Sequence, residues 1–105
     1  MAGNNEQALQ KLDSLVQQYD STDQELFARI NNAKGAAYTA LGKTNQALLS
    51  YLQTDLLFFT DAEAHAEALY HLAKLWPLTG QPARGAEAKA RLTAQYASSI
   101  WANKD

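Results

Sequence analysis

A seven-residue phrase occurs twice in this chain. Gly3-Asn4-Asn5-Glu6-Gln7-Ala8-Leu9 and Gly42-Lys43-Thr44-Asn45-Gln46-Ala47-Leu48 both read G-x-x-x-Q-A-L, 39 positions apart. A third turn, Gly80-Gln81-Pro82-Ala83-Arg84-Gly85-Ala86, follows 38 positions after Gly42 and keeps the glycine and a small residue five positions on. A period between roughly 20 and 50 residues marks a supersecondary unit used repeatedly, each copy burying its apolar face against the next. Whatever this chain folds into must be built from such a unit, with Gly3, Gly42 and Gly80 read as helix terminators.

The unit is helical. Val16, Ile30 and Ile100 are the only valine and isoleucines, too few β-branched residues to cover a sheet. Alanine, leucine and glutamine, all good helix formers, dominate instead. Ala8, Leu9, Leu12, Leu15, Val16 and Tyr19 draw one helical stripe, which Asp20-Ser21-Thr22-Asp23 stops. A second helix is predicted over about 24–41, with Leu26, Ile30, Ala33, Ala37 and Leu41 on one face and Phe27 and Tyr38 beside it. A third, over about 45–59, is apolar nearly all round, so it should be covered on both sides. Its Leu56-Leu57-Phe58-Phe59 end is therefore read as core and inter-repeat packing. A fourth spans about 62–78, with Thr60 and Glu63 at capping-box spacing and Pro77 expected to kink or stop it. A fifth runs from about 83 to 96, and Ala97–Asp105 adds a short turn carrying Ile100 and Trp101.

The 105 residues allow one small domain. With 47% apolar residues a disordered chain is excluded, and a net charge of −2 argues against nucleic-acid binding. No cysteine is present, so disulfides and thiolate metal sites are excluded. No apolar run approaches about 18 residues, so no span is expected, and Met1–Asn5 does not read as a signal peptide.

Few residues offer chemistry. His65 and His71 lie six apart, roughly 240° around a helix, and cannot share a metal. Glu67 and His71, four apart, read as a surface pair. No G-x-S-x-G turn presents a nucleophile, and Ser98-Ser99 fall in a polar tail. Asp61 and Glu63 suit the start of a helix dipole. Arg84, Lys89 and Arg91 make the last helix basic while residues 1–30 carry a net −3; Glu87 balances the former, which reads as a solvated face. No enzymatic role, cofactor or metal is expected.

The chain resembles the tetratricopeptide (TPR) repeat family. Gly35-Ala36-Ala37-Tyr38 and Ala47-Leu48-Leu49-Ser50-Tyr51 stand at that family's offsets of small residue and aromatic, and Leu72, Ala73 and Trp76 keep the first-helix pattern again. Asn31 departs from the family's tryptophan, Phe59 from its closing proline, and Lys89 follows Gly85 where an aromatic belongs. The alanine-rich, lengthened period is similar to TPR modules of bacterial cell-envelope and assembly proteins, which tilts localisation toward an envelope compartment.

The resemblance implies an all-α, right-handed antiparallel helix-hairpin solenoid of about five helices: half a repeat over 1–20, a repeat over 21–59, a degenerate repeat over 60–98 and a tail over 99–105. Gly35 and Ala47 would form a close crossing beside Tyr38 and Tyr51, with the 24–41 helix between its partner and the 62–78 helix. The implied function is non-enzymatic binding of a peptide or protein in a concave groove lined by Arg29, Asn32, Ala36, Thr39 and Ala40 from one repeat and Glu67, Tyr70 and Lys74 from the next. Solenoid ends need polar caps. The first stripe and Trp101 therefore imply the alternative, a structural spacer or a segment that homodimerises through its terminal helices.

Overall fold

The computed structural model describes residues 2–20 and 22–104. Five helices follow in order: α1 (Ala2–Gln18), α2 (Gln24–Ala40), α3 (Thr44–Leu57), α4 (Ala62–Leu78) and α5 (Pro82–Gln95), with no strand among the described residues. The chain is all-α. Its extents are 35 × 29 × 20 Å, and the short dimension equals two helix diameters, so the helices form two layers. Each helix packs on the next in sequence, and α2 also touches α4.

Local chemistry sets the boundaries. Asp23 accepts from the Leu26 N–H at 3.1 Å and caps α2. Asp61 accepts from the Glu63 and Ala64 N–H groups and caps α4. The expected Thr60–Glu63 box is not what caps this helix: Thr60 donates instead to Gln24 across the α2–α4 gap at 3.1 Å. The Asp61 carboxylate, one position later, is what reaches the orphan N–H groups.

Two helix ends share one solution. After α2 the Lys43 N–H meets the Tyr38 carbonyl at 2.9 Å, with Gly42 at φ +74°. After α4 the Gln81 N–H meets the Trp76 carbonyl at 2.9 Å, with Gly80 at φ +80°. Both are six-to-one closures that need a left-handed residue, which only glycine adopts without strain. Gly3 is different. It lies inside α1, so it terminates nothing: no helix precedes it among the described residues. Pro77 does not stop α4 either, because it sits one residue from the end, where the only N–H it removes is the one that would have met the Ala73 carbonyl.

The core runs along the middle three helices and into α5. Tyr51, Ala66, Ala68 and Leu69 are fully buried, joined by Leu48, Leu72, Leu75 and Leu92. Glycines allow two close approaches. A Cβ on Gly35 would sit 2.6 Å from Tyr51 Cζ, so the close approach at Gly35 is made by the Tyr51 ring, which was expected beside a crossing of Gly35 with Ala47. A Cβ on Gly85 would sit 2.8 Å from both the Ala73 carbonyl oxygen and Pro77 Cδ, so α5 presses on the carbonyl to which Pro77 has no N–H to donate.

Two apolar assignments need correction. Ala33 is exposed, whereas Phe27, Ala28 and Gly35 are buried with Ile30 and Ala37, because α2 meets α1, α3 and α4 and turns a broader face inward than one stripe. The all-round cover expected of α3 is also absent: Leu49, Leu56, Leu57 and Phe59 are all more than half exposed. Helix α3 ends at Leu57, and among the four last apolar residues only Phe58 turns in, 5.5 Å from the Phe27 ring.

Candidate functional site

The residues expected to line a groove separate into three groups. Arg29, Asn32 and Glu67 stitch α2 to α4. Asn32 is buried and donates to the Ala64 carbonyl at 2.9 Å and to Glu67 Oε1 at 3.1 Å. Arg29 pairs with Asp61 at 3.2 Å and with Glu25 at 3.4 Å. Glu67 and His71 do not form the surface pair read from their spacing. The Glu67 carboxylate turns to Asn32, and the His71 ring stacks on Tyr51 with centroids 4.6 Å apart. Burial raises the Glu67 carboxyl above its usual range, against the opposing hydrogen bond from Asn32.

Thr39 donates to the Gly35 carbonyl of its own helix at 2.8 Å, and Ala36 and Ala40 are exposed. Ala36 helps line a shallow recess with Ala8, Leu12 and Ala33, on the α1 side of α2.

Tyr70 and Lys74 form the third group, and here the structure adds residues that sequence reasoning had placed elsewhere. The Lys74 ammonium lies 5.0 Å from the Tyr70 ring centroid. The turns after α5 bring Trp101 back onto α4, 5.4 Å from Tyr70 and 5.7 Å from His71. Asn103 holds those turns by donating to the Ala97 and Ser99 carbonyls. Between α4, α5 and the turns lies a cavity of about 190 Å³, bordered by Tyr70, Lys74, Trp101, Lys89 from α5 and Lys104 from the tail. Lys104 stands 4.7 Å over the Trp101 ring. The basic side chains at 89 and 104 are 15 positions apart in sequence, and nothing in the period brings them together.

These charges act on His71. Burial, followed by the Lys104 and Lys74 ammoniums, lowers its pKa to about 4. Unfolded histidine titrates near about 6.5, so on acidification the unfolded chain takes up the proton first. The resulting stability is complete above pH 6.5 and is lost as the pH falls toward 4. Solvent screening of the half-buried ring leaves an expected loss of about 2 kcal/mol across that window. Urea midpoints at pH 7 and pH 4.5 should show this loss in the native chain and not in His71→Phe. Equal losses in both would remove His71 as its origin.

A second polar cluster was not foreseen. Asp55, on α3, receives two bonds from Arg91 on α5, at 3.0 and 2.8 Å, and lies 2.6 Å from His65 Nε2 on α4. His65 Nδ1 lies 2.7 Å from the Tyr96 hydroxyl. Burial pushes the Asp55 carboxyl up, but the hydrogen bonds from His65 and Arg91, with the Arg91 charge, outweigh it and lower the pKa to about 2. The same carboxylate raises Arg91, and burial raises the Tyr96 phenol, which stays neutral. A raised phenol pKa and a carboxylate already engaged by a guanidinium suit a structural lock, not an activated nucleophile. The one sequence signal was that Asp55 is the single charged residue of α3 and stands directly before the apolar run Leu56-Leu57-Phe58-Phe59.

Among the described residues no three His, Asp or Glu side chains converge on a metal position. Among the described residues no helix is long and apolar enough to cross a membrane. Comparison with family models, curated proteins and solved structures gives no match.

Proposed function

We propose that this chain is a TPR-like module, a right-handed stack of antiparallel helix hairpins, that binds a segment of another protein without catalysis. The observation that carries the reading is the cavity between α4, α5 and the C-terminal turns, where Tyr70 and Trp101 present aromatic surface beside Lys74. Aromatic anchors beside cations, held on rigid helices, are the usual hot-spot chemistry of peptide recognition. The repeated G-x-x-x-Q-A-L phrase, the Gly35–Tyr51 contact and the paired glycine turns support the TPR-like part. Arg29, Asn32 and Glu67 belong to the proposal in a lesser role: they set the spacing of α2 and α4, and Arg29 keeps its exposed side of that face.

The test is capture of partners from a source-cell lysate by the immobilised domain, against Tyr70→Leu with Lys74→Glu. Leucine keeps apolar volume at position 70, so the melting temperature should hold within a few degrees. Capture of one protein by the native chain, and at least a tenfold weaker capture by the variant, is expected. Equal capture by both, or none by either, would favour the spacer reading and shift attention to the partly exposed α1 stripe, where Val16 and Tyr19 face solvent.

A further inference from the structure

We infer that the outward face of α3 and the groove beside it dock a second copy of this chain, pairing two molecules about a two-fold axis. This surface shares no lining residue with the cavity bordered by Tyr70 and Trp101, so the inference stands apart from the peptide-binding reading.

The make-up of the face comes first. Helix α3 exposes Asn45, Gln46, Leu49, Gln53, Leu56 and Leu57, none of them charged. Its one charged residue, Asp55, is turned inward to His65 and Arg91. With 19% charged residues in the chain, an uncharged helix face is not what the average surface would supply. Leu49, Leu52 and Leu56 follow spacings of three and four, the seam by which one helix packs on another. Phe59 extends the apolar surface just past the helix end, its ring centroid 6.2 Å from that of His65.

Shape comes second. Backbones of α3 and α5 do not meet, and between the two helices runs a groove of about 250 Å³ with Leu72 and Trp76 on its floor. That volume accepts a side chain and falls short of the roughly 300 Å³ at which small-molecule pockets begin. Leu56 borders the groove and is itself 65% exposed, so one surface carries both a knob and a hole. A two-fold axis seats the knob of each copy in the hole of the other.

Charge and area select the occupant. The α5 wall of the groove carries Arg84 and Glu87, of opposite sign, while Arg91 is held by Asp55. A wall of one sign would attract an oppositely charged partner and repel its own copy, whereas a mixed wall beside an uncharged seam does neither. A net charge of −2 adds little repulsion between copies. Leu49, Leu56, Leu57 and Phe59 are each more than half exposed. They present on the order of 400 Å² of apolar surface, near the roughly 450 Å² non-polar share of a standard interface that buries about 800 Å² per partner.

Sedimentation equilibrium between about 1 and about 300 μM tests the pairing. The weight-average mass should rise from 11.5 kDa to twice that value and stop there. Leu49→Glu with Leu56→Glu, both at exposed positions, should keep the native circular dichroism and stay monomeric throughout. Val16→Glu with Tyr19→Glu, on the α1 stripe, should dimerise as the native chain does. A native chain that is monomeric at the highest concentration overturns the inference. So does a dimer that survives the α3 substitutions, a dimer lost with the α1 substitutions, or a mass that climbs past two copies. The chain has no cysteine, so Gln53→Cys places a unique thiol on the α3 face. A short bismaleimide should join two Gln53→Cys chains at least tenfold faster than two Lys89→Cys chains, in which the thiol borders the other cavity. Equal rates would take α3 out of the interface.

Discussion

Asp55→Ala is expected to destabilise the protein by about 3 kcal/mol, within the 3–5 kcal/mol range for breaking a buried ion pair from one side. The Asp55 side chain is 5% exposed and is the point where α3, α4 and α5 meet. Backbones of α3 and α5 do not come into contact, so the Arg91–Asp55 bonds span a gap that main-chain packing leaves open. Removing the carboxylate strands His65, itself 5% exposed, with one ring nitrogen lacking its partner. Arg91 is 36% exposed and can turn to water, which holds the loss near the low end. Arg91→Met leaves the buried Asp55 carboxylate with His65 alone, so it too should cost about 3 kcal/mol. Urea unfolding followed by circular dichroism, with unchanged m-value, gives both numbers. A loss below about 1 kcal/mol for Asp55→Ala would mean that the cluster contributes nothing net to the fold.

Tyr51→Ala is expected to cost about 3–5 kcal/mol, the range for removing a buried aromatic ring. Tyr51 is completely buried, stacked on His71 and wedged against Gly35. Burial raises its phenol, with the Glu67 charge adding to the effect, and its hydroxyl has no hydrogen-bond partner among the described residues, so the ring itself supplies the stabilisation. The mirror experiment is Gly35→Ala. Helix propensity alone would favour alanine by about 1 kcal/mol. The new methyl meets a ring with nowhere to move, so a net loss of about 1–2 kcal/mol is expected. In a Tyr51→Leu background the same change should become neutral or stabilising. A Gly35→Ala cost that is identical in both backgrounds would show that the Gly35–Tyr51 contact is not its source.

Much of the local structure was legible. Helix period, the glycines at 42 and 80, the aspartates before α2 and α4 and the proline opening α5 all act within one or two turns of chain, where the physics is local. Gly35 as a point of close approach with Tyr51 nearby was legible too, because only a missing side chain allows a large ring to approach a backbone so closely, although the sequence pairs it with Ala47.

The face each residue turns inward was another matter. Glu67 and His71 are neighbours by helical spacing, yet one bonds to Asn32 and the other stacks on Tyr51. Leu56, Leu57 and Phe59 look like core in one dimension and stand in solvent in three. Lys74, Lys89 and Lys104 were scattered charges until α4, α5 and the C-terminal turns met. Asp55 looked misplaced until His65 and Arg91 reached it.

The sequence by itself determined five helices, where they stop and one point of close approach between them. Only the tertiary structure decided which polar groups are buried together and which cations share a cavity. Capping and periodicity are settled by residues a few positions apart, whereas a side chain's neighbours across a layer depend on how helices rotate and settle against one another, which no local pattern encodes.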